Sequence, residues 1–178
     1  MTSLAPKKKI TIQNAPEVSS GEYTRVWSID TRRAMSTELP PISLADLESR
    51  YPLCFRHKGC CMWGVECGGG WSVLLGDLLE SLEGSLQGDR ERYVDGEFPF
   101  RIDQIKEKFG TLRFYVSGAA SDSMMEAIMD AESLSARTCE RCGSEGVVCV
   151  SRAGFWLKTL CPECAGSEWI TYNRNEMP

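Results

Sequence analysis

Two pairs of cysteines near the C-terminus carry the clearest chemical signal in this sequence. Each pair has two residues between its members, and eighteen residues separate the pairs, which are Cys139 with Cys142 and Cys161 with Cys164. Two intervening residues let a tight turn direct both sulfurs at one ion, and two such turns complete a tetrahedral shell of four sulfurs. The spacing therefore predicts a structural site with zinc as the cofactor. A closed shell of this kind leaves no position for a substrate, so it predicts stability and no activity.

Redox chemistry at the same cysteines is the alternative. A redox-active pair usually sits at the start of a helix that follows a strand, and nothing in the sequence indicates two such units. The four cysteines are therefore interpreted as metal ligands.

A second group of soft ligands lies in the irregular segment 54–70. Its candidates for a second zinc ion are Cys54, His57, Cys60 and Cys67, with Cys61 beside them. Their spacing is not that of a common zinc finger, and free cysteines are frequently small buried apolar residues. Burial is therefore the expected role, and metal binding is the alternative. The last cysteine, Cys149, is expected to pack inside the zinc-binding module.

A predicted hairpin carries a candidate contact strip formed by Arg101, Lys106, Lys108, Arg113 and Tyr115. Lysine and arginine can contact phosphates, and tyrosine can stack on a base. Asp103 and Glu107 alternate with these cations, which favours a solvated face with cross-strand ion pairs.

Catalysis has little support in the residue pattern. The lysine that follows Glu107 is adjacent to it, whereas a metal nuclease would have it two positions later. No motif places an acid beside His57, which is the only histidine. The sequence therefore predicts a protein that is not an enzyme, with a metal-dependent nuclease as the remaining enzymatic alternative.

A run of glycines at 68–70 precedes Trp71. Such a run before a helix resembles a phosphate-binding loop, but it lacks the lysine and the hydroxyl residue of a P-loop. We expect these glycines to allow a sharp bend that brings Trp71 into the core.

Composition indicates a globular protein of 178 residues, with 42% hydrophobic and 25% charged residues. No apolar run is long enough to span a membrane, and the lysines at 7–9 are not followed by the apolar stretch of a signal peptide. We therefore expect a cytoplasmic protein that has no membrane partner, in which cysteine pairs indicate metal rather than disulfides. The net charge of −5 disfavours a nucleic-acid binder and suits a basic protein surface as partner.

Apolar periodicity predicts the elements that must position these side chains. Ser43 is expected to cap a short helix at 44–51, and residues 71–86 form a helix with one wide apolar face. Alternation predicts a strand at 22–29 and a hairpin of strands near 98–108 and 111–116, which turns at Phe109 and Gly110. Ser123 and Glu126 form a capping box for a helix that ends near residue 136. The residues expected on its buried face are Met124, Met125, Ile128, Ala131 and Leu134.

The expected fold class is α+β, a small antiparallel sheet packed by two helices, with a C-terminal zinc ribbon. The ribbon strands are predicted at 147–150 and 155–160. The predicted domains are a peripheral arm at 1–21, an α+β core at 22–137, and the ribbon with its tail at 138–178. Trp156, Trp169 and Ile170 are the expected contacts between ribbon and core. Zinc would supply the stability that so small a module cannot draw from its own core.

Three segments resemble a family of small uncharacterised proteins of phages and prophages. They are the ECGGGW run at 66–71, the KEKFGTLRFY run at 106–115 and the two cysteine pairs. The resemblance covers the chain from about residue 50 to about residue 165. It implies a viral or prophage context, in which small accessory proteins often bind and inhibit host factors, and it implies no established activity.

The resulting hypothesis is a non-enzymatic, zinc-stabilised protein that binds and inhibits or modulates a protein of the host cell, such as a defence system. A zinc-ribbon protein that binds nucleic acid is the alternative hypothesis. The sequence identifies neither the partner nor the oligomeric state.

Overall fold

A computed structural model describes residues 38–57, 59–88 and 100–172. The predicted arm at 1–21 and the predicted strand at 22–29 lie outside these residues. The helices are α1 (Leu44–Arg50), α2 (Ser72–Gly88), α3 (Asp122–Ser135) and α4 (Pro162–Ala165), with a 3₁₀ turn at Gly69–Trp71 before α2. The strands are β1 (Val65–Glu66), β2 (Arg101–Lys108), β3 (Thr111–Ser117), β4 (Val147–Ser151), β5 (Leu157–Leu160) and β6 (Trp169–Thr171). The α+β prediction is confirmed. Within the described ranges, the helices are too short or too polar to cross a membrane.

The first sheet has the order β1-β2-β3. Strands β2 and β3 form the predicted antiparallel hairpin, whereas β1 pairs with β2 in parallel, so this sheet is mixed. Phe109 and Gly110 at the hairpin turn have φ values of 55° and 82°. Two successive positive φ values match the twist of the flanking strands. A register shift between Ile102 and Gln104 lets both Ile102 and Ile105 face the core.

One continuous core lies between this sheet and the helices α2 and α3. All the apolar positions predicted for the face of α2 are buried, namely Trp71, Leu74, Leu75, Leu78, Leu79, Leu82 and Leu86. Helix α3 lies along β3 and bonds its outer edge. The Leu112 amide donates to Ser135 Oγ at 2.8 Å, and the Phe114 amide donates to Glu132 Oε1 at 2.9 Å. These bonds close a strand edge that would otherwise be open to pairing with another chain.

The start of α3 differs from the prediction. The N-cap is Ser121, whose hydroxyl accepts a hydrogen bond from the Met124 amide at 3.3 Å, so the predicted capping box at Ser123 and Glu126 is wrong. Because the cap lies two residues earlier than predicted, Asp122 and Ser123 belong to the first turn of the helix. Met125 is 40% exposed, because the buried stripe of α3 runs through Met124 and Ile128 instead. The predicted cap of α1 by Ser43 is confirmed.

The C-terminal module is a separate three-stranded sheet with the order β5-β4-β6, and both pairings are antiparallel. Strands β4 and β5 match the predicted ribbon strands, and β6 was not predicted. The small buried cluster of this module consists of Cys139, Cys149, Leu160, Cys161 and Cys164. Cysteines thus make up most of the interior, and a bound metal would substitute for a larger apolar core.

Candidate metal centre

The sulfurs of the four predicted ligands come together at one point. The Sγ atoms of Cys139, Cys142, Cys161 and Cys164 all lie within 4.8 Å of one another. The Sγ atoms of Cys142 and Cys161 are 3.6 Å apart. A tetrahedral ion with metal–sulfur bonds of about 2.3 Å holds its sulfurs about 3.8 Å apart, so this arrangement fits a metal ion with little movement. In the part of the chain that the structure describes, these residues form the only group of histidine, cysteine or carboxylate side chains close enough to share an ion.

Each cysteine pair is shaped by local hydrogen bonds. In the first pair the Cys139 amide donates to Ser144 O at 2.7 Å, and the Gly143 amide donates to Cys139 O at 2.9 Å. Gly143 has a φ of 80°, a conformation that glycine adopts without strain. In the second pair Cys161 is the N-cap of α4, and its sulfur accepts a hydrogen bond from the Cys164 amide at 3.4 Å. Both turns bring their sulfurs together, and the cysteines cluster with Cys149 and Leu160 of the ribbon strands.

The thiols differ in how readily they lose a proton before metal binds. Burial raises the pKa of Cys161 to about 12 and raises the pKa of Cys164 as well. Burial also acts on Cys142, but hydrogen bonds with the side chain and backbone of Ser144 outweigh it and lower the Cys142 pKa to about 7. A metal ion deprotonates the thiols that coordinate it, so binding here must release protons into solution.

The first cysteine pair docks on the glycine run at 68–70. The Gly70 amide donates to Glu140 O at 2.8 Å, and the Gly68 amide donates to Glu140 Oε1 at 2.9 Å. A Cβ atom on Gly68 would overlap the carbonyl oxygen of Glu140, and one on Gly70 would overlap that of Cys139. The glycines are therefore required for close approach of two backbones. The Gly68 and Gly70 amides, which a phosphate would need, are already bonded to Glu140.

Polar contacts complete the docking of the ribbon. Glu140 is 2% exposed, and its Oε2 forms an ion pair with Lys158 Nζ at 2.6 Å. Thr159 Oγ1 donates to Gly110 O at the hairpin turn at 2.6 Å. The indole nitrogen of Trp71, in the main core, donates to Thr138 O at 2.7 Å. The ribbon therefore contacts the core both at the glycine run and at the tip of the hairpin.

The predicted docking residues are wrong. Trp156 and Ile170 are 69% and 45% exposed, and Trp169 packs against the ribbon's own cysteine cluster. The apolar side chains of the ribbon predicted an apolar interface. The interface between ribbon and core is instead made by backbone amides, a buried carboxylate and a hydroxyl. Glu140 was missed because a glutamate between two metal ligands ordinarily points into solvent.

The second cysteine group is not assembled as a metal site in the described residues. Cys54, Cys60 and Cys61 are buried in the main core, Cys67 packs against that core, and His57 does not join them in a common group. The Cys54 thiol donates to Leu79 O at 3.7 Å. Burial raises the pKa of both Cys61 and Cys67 to about 12, so these thiols are neutral at ordinary pH. They occupy the core as small apolar groups.

The candidate contact strip is only partly neutralised. Arg101 forms an ion pair with Asp103 at 2.7 Å, and Glu107 Oε1 accepts a hydrogen bond from the Gly110 amide at 2.7 Å. Asp103 also accepts a hydrogen bond from Ser117 Oγ on β3 at 3.1 Å. The described residues show no cross-strand ion pair for Lys106, Lys108 or Arg113.

Comparisons of this chain with protein-family models, with curated proteins and with solved structures return no match. The resemblance to small phage and prophage proteins therefore stays a prediction from the sequence motifs.

Proposed function

We propose that this protein is a zinc-stabilised binding protein, encoded by a phage or prophage, that binds and inhibits or modulates a protein of the host cell. Zinc is the metal that the four-thiol donor set suits best, because structural zinc sites use this closed tetrahedral shell. Its role here is to hold the ribbon together and to keep it docked on the glycine run. Binding of the host protein is assigned to exposed side chains on the surface of the chain.

The observation that carries the proposal is a pair of exposed aromatic residues at the β4–β5 turn. Phe155 is 88% exposed and the adjacent Trp156 is 69% exposed. Large aromatic side chains dominate the binding energy of protein interfaces, where they enter pockets on the partner. Their exposure also costs solubility, which gives a physical reason to expect a partner that covers them.

The turn that presents this pair is held by hydrogen bonds. The Ser151 amide donates to Trp156 O at 2.9 Å, and the Gly154 amide donates to Ser151 O at 2.7 Å. Arg152 fastens the turn to the chain before β6, because its Nε donates to Ser167 O at 2.7 Å. A surface that is already ordered loses less conformational entropy on binding, which favours affinity.

A tagged-protein purification with paired variants tests the proposal. The tagged chain is expressed in the bacterium that carries the gene, and co-purifying proteins are identified by mass spectrometry after nuclease treatment. We expect one stoichiometric host protein with the parent chain and its loss with Phe155→Ser plus Trp156→Ser. The matched control is Met62→Ser plus Trp63→Ser, which removes two residues that are 75% and 76% exposed at a different turn.

The control variant should retain the captured protein, since it removes a similar apolar area from another surface. No stoichiometric protein, or equal capture by all three chains, would contradict the assignment of the Phe155–Trp156 turn. The activity of the captured host protein would then be measured with and without the purified chain. Inhibition should increase with the fraction of host protein that is bound.

The alternative, nucleic-acid binding by the ribbon itself, has less support. Within the described part of the ribbon, residues 138–172, three cations face four acids, and Lys158 is paired with Glu140. Arg141 and Arg152 donate to backbone carbonyls. A described ribbon with a net negative charge lacks the electrostatic attraction on which nucleic-acid affinity depends.

A further inference from the structure

The hairpin of β2 and β3 has an outward face that contains most of the candidate contact strip and is separate from the Phe155–Trp156 turn. Cross-strand partners point to the same side of a sheet, and the register pairs Gln104 with Tyr115, Lys106 with Arg113 and Lys108 with Thr111. We call these six residues the outward face. None of their side chains is buried, whereas the opposite face of the same strands supplies Ile105, Leu112 and Phe114 to the core.

The positive charge on this face is only partly balanced by neighbouring acids. Lys106 lies directly opposite Arg113, and like charges in that position destabilise a sheet. Glu66 on β1 is the acid adjacent to Lys106, and its Oε2 accepts a hydrogen bond from Gln104 Nε2 at 2.6 Å. This one carboxylate faces three cations, Lys106, Lys108 and Arg113, so the face keeps a positive excess. Arg113 donates only to Thr111 Oγ1 and to a backbone carbonyl. An acidic protein thus concentrates cations on one strand pair, which indicates an anionic ligand.

Aromatic rings lie among these cations. Lys106 Nζ is 5.2 Å from the centre of the Tyr115 ring, and Lys108 Nζ is 5.4 Å from the centre of the Phe109 ring. Tyr115 is 40% exposed and Phe109 is 67% exposed, so each ring also presents surface to solvent. The face therefore offers positive charge and stacking surface within the reach of one extended ligand.

We infer that the outward face, with Phe109 at its tip, binds single-stranded nucleic acid. Lys106, Lys108 and Arg113 would contact phosphates, while Tyr115 and Phe109 stack on bases. Proteins that hold single strands without sequence preference combine these two features, since every base has a flat π face. A duplex would leave the rings unused, because its bases are already stacked, and an acidic peptide has no bases to stack. The inference goes beyond the proposed function, because it assigns a second ligand to a different surface.

Fluorescence anisotropy with a labelled oligothymidine tests the inference on the full-length, zinc-loaded protein. We expect binding at low salt that weakens steeply as salt is added. Tyr115→Ala should weaken binding by about fivefold to a hundredfold, the range for loss of one stacked base. Tyr115→Phe keeps the ring and should bind within about twofold of the parent. Lys106→Gln combined with Arg113→Gln should reduce the slope of log affinity against log salt by about 1.4.

Arg50→Gln is the matched charge control, because Arg50 is an exposed cation on α1, away from the hairpin. It should leave both the affinity and the salt slope unchanged. Absence of binding at low salt, or equal losses in the Arg50 and Lys106–Arg113 variants, would overturn the inference. Equal competition by polyglutamate, with no effect of Tyr115→Ala, would also overturn it, because a general anion site needs no stacking. All variants keep Phe155 and Trp156, so failure here leaves the protein-binding proposal to its own test.

Discussion

Replacement of Gly70 by alanine tests whether the glycine run holds the metal-binding turn by close contact. The added Cβ would overlap Cys139 O and lie 2.6 Å from both the carbonyl carbon and the oxygen of Glu140. All of these are backbone atoms, which cannot rotate away as the end of a flexible side chain would. Either the first cysteine pair or the start of α2 must therefore shift.

The expected loss can be built from two contributions. Inserting a methyl group into a well-packed contact costs about 1–3 kcal/mol. The shift also weakens the hydrogen bond from the Gly70 amide to Glu140 O, which adds about 1 kcal/mol. We therefore expect Gly70→Ala to lower the free energy of unfolding by about 2–4 kcal/mol. That is a large part of the stability of an ordinary domain, about 5–15 kcal/mol, so the variant should still fold.

Gly84→Ala is the matched control for the same chemical change. Gly84 lies on the exposed side of α2, and a Cβ there has no heavy atom within 4 Å. Alanine is favoured over glycine in a helix, so this variant should gain about 0.5–1 kcal/mol. The two alanine variants are thus expected to move stability in opposite directions.

Urea unfolding in buffered zinc, followed by tryptophan fluorescence, measures both changes. Trp71 is a suitable reporter, because it is fully buried and its indole nitrogen contacts Thr138 O beside the metal site. Zinc content should remain one ion per chain in both variants, since neither removes a ligand. A Gly70→Ala protein as stable as the parent would refute the close-contact account, and so would equal destabilisation by Gly84→Ala.

Three further predictions follow from single groups. Cys139→Ser should lose the bound zinc, measured by chelator titration, and unfold the ribbon, whereas Cys149→Ala should keep it, because Cys149 lies outside the ligand group. Glu83→Gln should lower the free energy of unfolding by about 1–3 kcal/mol in urea denaturation, since the buried carboxylate accepts hydrogen bonds from the amides of Leu53 and Cys54. The raised pKa of Cys61, from 9.0 to about 12, stabilises the fold while the thiol is neutral. That contribution is complete below pH 9 and disappears as the pH rises toward 12, so stability curves should fall there and fall less in Cys61→Ala.

The parts of the fold that could be predicted are those that depend only on the spacing of residues within one segment. The leucine spacing of α2 and the alternation of apolar and polar residues in β3 each predict one buried face. Both predictions match the structure. The spacing of the cysteines likewise determines how each turn places its two sulfurs, and the four sulfurs converge as expected. These signals need no knowledge of what the segment packs against.

The parts that could not be predicted depend on contacts between distant segments. From the sequence, the 68–70 run indicates a sharp bend or a phosphate-binding loop. Only the structure shows that Glu140, some seventy residues away, accepts hydrogen bonds from the Gly68 and Gly70 amides. The role of Lys158 depends on the same buried carboxylate. Free cysteines at 54–67 were ambiguous because thiols suit both metals and cores, and only their burial decides between these roles.

The ribbon's attachment at two points links the metal to both proposed binding surfaces. At one point the backbone of the first cysteine pair sits on the glycine run, and at the other Thr159 holds Gly110 at the tip of the hairpin. A Cβ on Gly110 would lie 3.2 Å from Val148 Cγ1, so this second contact is also close. Two separated contacts limit the movement of the ribbon relative to the core, so an ordered ribbon also holds the hairpin tip. A metal bound by the four cysteines would therefore stabilise the Phe155–Trp156 turn directly and the outward face through Gly110, without contacting either proposed ligand.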